Sequence, residues 1–456
     1  MNTVQSNRYH VKRLLALGLP LIGSHIAQFA ITLTDALMLG WYSVEALAAE
    51  VLGGMIFFVL FIAGSGFAWA VMPMVASAQA SGHEAQVRRV TRMGCWASIL
   101  FALLVLPVMI WSEPILLALG QEPEISALAG QYLEIVGYVI VPALLVMVLK
   151  SYLVALEHTQ FVLWVTLVAV GLNVLVNYAF IFGNLGAPEL GIRGAAIASL
   201  SVTMLSLIAL VFYVAYATPE HSMFQRFWRP DWEALRDVFR LGWPIGMTNL
   251  AEVSLFAASS VMMGWFGTLP LAAHGIALQI ASVAFMVHFG LSNAATVRAG
   301  QAIGRGDPDS LRAGAIVAVV MSGVFASCTV FIFLAFPEFL IGVFMSPNEP
   351  EREAVIVIGI GLLAAAAVFQ VVDAGQVMAL GLLRGVQDTR IPLVIAVISY
   401  WIIGVPVSYV LGFTMGLGGV GIWIGLAIGL AVAAILLLVR FWRWSNRWSQ
   451  ENAPAN

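Results

Sequence analysis

Three carboxylates stand where a carboxylate is costly. Asp35, Glu252 and Asp373 each fall inside a long apolar stretch, and no Lys or Arg lies at comparable depth in any such stretch. An ionised acid at the centre of a bilayer costs about 2.5–3.5 kcal/mol on insertion scales. Such a group faces a cavity, finds a cation or takes up a proton. The alternative is a structural acid hydrogen-bonded in a helix interface, and no buried base is expected to partner it. The chemistry these residues offer is therefore reversible capture of a small cation, Na⁺ or H⁺. Glu50 and Glu134 lie nearer the ends of their segments and are read as reaching water.

Asn173 and Asn177 are four residues apart and share a helical face. With Asp35 they could supply oxygens to Na⁺ or build a hydrogen-bond network around a protonated carboxyl; plain helix-to-helix hydrogen bonding is the alternative. His25, His274 and His288 have no metal-ligand spacing and read as packing or hydrogen-bonding groups. Cys95 and Cys328 fall in predicted helices and read as ordinary apolar packing, not as a metal site or a disulfide.

The elements that must position these side chains are membrane-spanning helices. The chain has 456 residues, 61% hydrophobic and only 10% charged. A water-soluble chain of that length could not hide so much apolar surface. Twelve stretches reach the ~20 residues a spanning helix needs: 13–39, 46–78, 93–112, 127–154, 160–183, 191–217, 238–264, 270–300, 313–336, 354–382, 391–412 and 417–441. The first carries Asp35 and is too long for the apolar region of a cleavable leader. The formal net charge of −3, with no basic domain or tail, gives no footprint for nucleic acid.

The chain repeats itself. Leu17-Gly18-Leu19-Pro20 returns as Leu241-Gly242-Trp243-Pro244, and Met38-Leu39-Gly40-Trp41 as Met262-Met263-Gly264-Trp265, both at an offset of 224. The predicted fold is all-α, with an N-terminal six-helix lobe over 1–217, a cytoplasmic linker over 218–237 and a C-terminal lobe over 238–456. Six is even, so the repeats are parallel, an architecture that usually places substrate between the halves near the midplane. At the same offset Asp35 aligns with Ser259, Glu252 with Gln28 and Ser24 with Thr248. The polar stripe is repeated while the carboxylate sits at a different height, which favours ion handling over scaffold maintenance.

Orientation follows from the basic residues. Nineteen of the 21 Lys and Arg fall on one side of the predicted helices; only Arg193 and Arg352 fall on the other. By the positive-inside rule both termini are cytoplasmic.

At these residues the chain resembles the multidrug and toxic compound extrusion (MATE) family, most closely its NorM-type bacterial branch. The resemblance covers nearly the whole chain. It is carried by the Asp35 region, by Asn249-Leu250-Ala251-Glu252, by Leu271-Ala272-Ala273-His274 and by Gly300-Gln301-Ala302-Ile303-Gly304. The most specific stretch runs from Asp373 through Gln376 to Leu383-Arg384-Gly385-Val386-Gln387-Asp388-Thr389-Arg390. The resemblance implies a V-shaped pair of six-helix lobes around a central cleft, in a bacterial inner membrane. It implies efflux of amphipathic organic cations driven by Na⁺ or H⁺, with no other cofactor and no enzymatic step, by a monomer among membrane lipids. By match of position, Asp35 with Asn173, Asn177 and Ser199 resembles an N-lobe ion site. Glu252 and Asp373 resemble a C-lobe ion or substrate site, including possible Na⁺ ligands. Gln28 and Phe369 join the substrate-facing set; Phe369 stands where family members often have Tyr, leaving an aromatic face for a cation but no phenolic ligand.

Other classes fit less well. A lipid-linked precursor flippase of the same superfamily calls for a strongly basic cavity and extra helices. An intramembrane enzyme calls for a Ser/His dyad or a His-Glu metal motif. A major-facilitator carrier calls for an Asp-Arg loop, whereas connection 2–3 reads Gly82-His83-Glu84-Ala85-Gln86-Val87-Arg88-Arg89.

Overall fold

Apolar runs with few charges fold as helices because a bilayer leaves every backbone N–H and C=O to be satisfied within the segment. The computed structural model describes residues 7–346 and 349–451. Among the described residues twelve helices are long and apolar enough to cross a membrane: α1 (Asn7–Tyr42), α2 (Val44–Ala80), α3 (Glu84–Ile110), α4 (Pro123–Ala155), α5 (Thr159–Phe182), α6 (Ile192–Ala217), α7 (Trp232–Gly264), α8 (Thr268–Arg305), α9 (Pro308–Ala335), α10 (Arg352–Gly385), α11 (Arg390–Thr414) and α12 (Gly418–Glu451). No strand occurs among the described residues. The protein is an all-α multi-pass membrane protein.

Each expected segment has its helix, and most helices overrun it. α1 starts six residues earlier than the apolar run, and α12 continues to Glu451. Hydropathy stops at the first charges, but backbone hydrogen bonding continues past them. Two short helices, Ser112–Ala118 and Pro337–Gly342, were not foreseen. The helix ends follow local chemistry. Ser43 Oγ accepts from Ala46 N at 2.9 Å and caps α2. Asp307 accepts from Ser310 N at 3.0 Å and caps α9, whose first residue is Pro308. Among the described residues three irregular stretches interrupt the spans: a 3₁₀ stretch in α4 (Gly137–Val139) and two π-helical stretches in α11 (Ile398–Gly404 and Val410–Thr414).

The chain forms two compact units. One comprises 23–247; the other comprises 1–22 and 248–456. The repeat seen in sequence and the units formed by packing are thus cut differently. The first sixteen described residues of α1 pack with α7's second half and α8–α12, and the first sixteen of α7 pack with α2–α6. In the first unit, α2 and the start of α7 touch backbone to backbone. A methyl at Gly66 would strike the Gly242 carbonyl oxygen and Gly246 N, the close approach small residues permit between membrane helices.

The expected linker 218–237 is helical from Trp232 onward, and the remainder is fastened to its own unit. Trp96 Nε1 donates to Phe227 O at 2.9 Å, and Arg92 Nη1 to Arg226 O at 3.2 Å. His221 is buried between Tyr152 Oη at 2.5 Å and Gln79 Oε1 at 3.2 Å. Burial holds its imidazole below the ordinary value. Arg89 Nε donates to Asp231 Oδ2 at 2.6 Å and its Nη2 to Glu233 at 2.7 Å. That guanidinium holds the Asp231 carboxyl below the usual carboxylate range.

In the second unit, α8 and α10 are joined by hydroxyls. Ser292 Oγ donates to Val377 O and Thr296 Oγ1 to Gly381 O, each at 2.8 Å. A methyl at Gly381 would collide with Ser292 Oγ, so only glycine admits this seam. Cys95 is buried, whereas Cys328 lies on the exposed face of α9; neither is in a disulfide.

Candidate functional site

In the unit formed by 23–247, α1 brings Asp35 against α5. Asp35 Oδ1 accepts from Asn173 Nδ2 at 2.9 Å and from Asn177 Nδ2 at 2.5 Å. Asn177 Nδ2 also reaches Asn173 Oδ1 at 3.3 Å. The Ser199 hydroxyl, from α6, bonds to the same carboxylate. Both asparagines are fully buried and Asp35 nearly so. The one-turn spacing of the asparagines presents two amide donors to a single oxygen, a set suited to an anion. One group is left over: Asn177 Oδ1 is buried without a donor. All four expected residues therefore meet. Lower on the stripe, Ser24 Oγ lies 3.0 Å from Thr166 Oγ1, which accepts from Lys150 Nζ at 2.9 Å. Gln28, between those levels, is exposed on α1.

In the other unit α7 supplies Glu252 and α10 supplies Asp373. The two acids act on one another electrostatically. Gln376, one turn after Asp373, hydrogen-bonds to Glu252 and donates from Nε2 to Tyr400 Oη at 2.5 Å. Tyr400 is fully buried and belongs to the π-helical stretch of α11. Such stretches recur at functional sites because they alter which residues face inward. Neither Gln376 nor Tyr400 was among the site residues read from sequence. No spacing rule marks Tyr400, whereas Gln376 stood within the family-like stretch of α10.

Four buried oxygens of this cluster have no donor among the described residues: Glu252 Oε1, Asp373 Oδ1 and Oδ2, and Gln376 Oε1. Buried polar atoms in native proteins are almost always paired. Oxygens of this kind are the ligand type that hard cations take. Among the described residues no three His, Cys, Asp or Glu cluster to hold a metal. A Na⁺ ion would therefore draw on amide and hydroxyl oxygens as well as the two acids.

One expectation needs amendment. A buried base does exist: Arg384, in the last turn of α10, is 8% exposed and acts on Glu252. Its Nη2 donates to Asn249 Oδ1 at 2.6 Å. The apolar run ended before it, but the helix carries it inward. Phe369 is 3% exposed, with Phe256 at 5.8 Å and Trp423 at 5.5 Å in T-shaped contacts, so its ring belongs to the lobe's packing. His274 accepts from Trp423 Nε1 at 3.0 Å, and His288 Nδ1 lies 2.8 Å from Ser322 Oγ, the hydrogen-bonding roles expected of them.

The MatE family profile matches residues 20–179 and 244–410. A probable multidrug resistance protein NorM of Rhizobium meliloti (strain 1021) is 47% identical over 448 residues, covering 98% of this chain and 96% of that protein. A protein of the same description from Agrobacterium fabrum (strain C58) is 47% identical over 435 residues, covering 95% and 93%. Among solved structures, a MATE protein crystallised in complex with MaL6 superposes with a TM-score of 0.88 over 97% of both chains at 18% identity, a likeness of fold.

Proposed function

The chain belongs to the MatE family of membrane transporters, and from that premise we propose that it is a Na⁺- or H⁺-coupled antiporter. It exports amphipathic, mostly cationic drugs and toxic organic compounds across a bacterial cytoplasmic membrane, with both termini in the cytoplasm. The observation that carries this reading is the set of four unpaired buried oxygens around Glu252 and Asp373.

The mechanism is competition for charge. In the substrate-loaded state the acids hold an organic cation, with aromatic and Met side chains covering its apolar parts. An inward-moving Na⁺ or H⁺ neutralises the same acids and weakens that hold. Each tenfold loss of substrate affinity requires ~1.4 kcal/mol of differential binding. Alternating exposure of the sites to the two faces converts the competition into exchange. The Asp35 cage supports a coupling role because its amide donors already solvate the anion. The Glu252–Asp373 cluster supports contact with the cation, because its oxygens are not yet satisfied.

The test is reconstitution of the full chain in proteoliposomes with Na⁺ and pH gradients imposed separately. At least one gradient should drive uptake of a permanent organic cation, and a matched organic anion should be carried poorly. Efflux that ignores both gradients, or favours the anion, would overturn the reading. A reporter at the C-terminal end, active only in the periplasm, would reverse the orientation.

A further inference from the structure

We propose that Glu50 is a second carboxylate of the N-lobe ion site, so that this lobe captures two monovalent cations (Na⁺ or H⁺) per cycle where Asp35 alone would capture one. The proposal rests on the reading of Asp35 as a coupling acid.

Glu50 lies on α2, which follows α1 after the single residue Ser43. Asp35 stands seven residues before the end of α1 at Tyr42, and Glu50 six residues after the start of α2 at Val44. At about 1.5 Å of rise per residue, both lie roughly 10 Å from the turn, at one level of the hairpin. The two carboxylates act on each other electrostatically, and the buried Tyr132 of α4, packed against Gly53 of α2, lies within reach of both charges. Glu50 is 8% exposed, as buried as Asp35.

The internal repeat gives the same placement independently. The offset of 224 that aligns Asp35 with Ser259 aligns Glu50 with His274. In the other unit these counterparts are neighbours: His274 Nε2 lies 3.5 Å from Ser259 Oγ and 3.2 Å from Ser260 Oγ. The C lobe, whose carboxylates sit elsewhere, fills the pair of positions with a hydroxyl and an imidazole. The N lobe fills it with two acids.

Those two acids are not equally provided for. Asp35 receives the amides of Asn173 and Asn177 and the hydroxyl of Ser199. Glu50 receives no hydrogen bond from a described side chain, and no described Lys or Arg acts on either acid. Beside them the fully buried Asn177 keeps Oδ1 without a donor, an acceptor ready for a cation. Two buried negative charges with no resident base call for two positive charges from outside.

The experiment measures the ion-to-substrate ratio of the full chain in proteoliposomes. The probe is tetraphenylphosphonium, and the readout is the ion gradient at which its net flux stops. A Na⁺ arm at fixed pH and a pH arm at fixed Na⁺ identify the ion. Glu50→Gln should remain coupled with one ion fewer per substrate, and Asp35→Asn should lose coupling. A wild-type ratio in Glu50→Gln, with Asp35→Asn uncoupled, overturns the role of Glu50 and leaves the Asp35 reading intact. Wild-type ratios in both variants overturn the Asp35 reading and this proposal with it. If the glutamine variant does not fold, Glu50→Leu, which fills the space with apolar atoms, is measured against the same two outcomes.

Discussion

Asp35 and Asp373 are both aspartates sealed inside a bundle of apolar helices, yet the two lobes receive them in opposite ways. Asp35 has two asparagine amides and a serine hydroxyl turned toward it. Among the described residues Asp373 has no donor on either oxygen, and its neighbours Glu252 and Gln376 also keep an unpaired oxygen. The N lobe turns donors toward Asp35; the C lobe gathers acceptors around Asp373. A site that already stabilises its charge can release a bound cation readily. On the proposed function, a site of bare acceptors is the one left to meet the organic cation. The same scaffold, repeated at an offset of 224 residues, thereby sets its carboxylates in two different hydrogen-bonding environments.

The largest expected effect separates coupling from folding. In Asp35→Asn the new amide oxygen can still accept from Asn173 and Asn177, so the protein should insert and fold while gradient-driven transport falls to background. The check is drug transport in proteoliposomes beside thermal unfolding of the purified variant. Wild-type transport would mean that the donor cage serves packing. Next, Asp373→Asn should weaken binding of cationic drug by ~10–100-fold, about 1.4–2.8 kcal/mol, and leave binding of uncharged apolar ligands within about twofold. Equilibrium binding to both ligand types decides it; an equal loss for both would move Asp373 from charge recognition to structure.

Asn177→Ala sharpens the contrast further, because its sign depends on the ion. It removes a donor to Asp35 and the unpaired Oδ1 together. A hydrogen bond to a charged group is worth ~1.5–3 kcal/mol. If the N lobe takes Na⁺, the lost oxygen ligand should raise the half-saturating Na⁺ concentration about tenfold. If it takes H⁺, the less solvated anion should lower the half-saturating proton concentration instead. The smallest effect lies outside the membrane core. Asp231, depressed by Arg89, contributes stability that is present above its unfolded value of about 3.9 and lost as pH falls through the lower folded value. The pair is partly exposed, so only ~0.2–1 kcal/mol is at stake. Asp231→Asn should flatten that acid limb of the unfolding curve while leaving transport at neutral pH unchanged.

Much of this was legible in the sequence. The acids announced themselves because a charge in an apolar run is conspicuous, and the Asn173–Asn177 spacing is set by the helix itself. What escaped was depth and lateral neighbourhood. Glu50 read as a residue near a helix end, but α2 begins at Val44 and is covered by Tyr132. Arg384 read as part of a cytoplasmic connection, but α10 runs through Gly385 and turns it toward Asn249 and Glu252. Phe369 read as an aromatic face; its contacts with Phe256 and Trp423, residues from two other helices, follow only from the fold. Tyr400 depended on a π-helical stretch that no apolar periodicity encodes.

The seam between α8 and α10 has a mechanical consequence. Each hydroxyl that spans it closes a bond on a carbonyl of the opposite helix, at 2.8 Å, where lipid offers no replacement partner. Separating the two helices breaks those bonds together. Drawn out of a bilayer by a force applied at its C-terminal end, the chain should give up α12 and α11 as lesser steps. α10 should then resist until the seam with α8 fails in one event, the highest peak of the C lobe's force trace. Ser292→Ala and Thr296→Ala combined should lower that peak without removing the others.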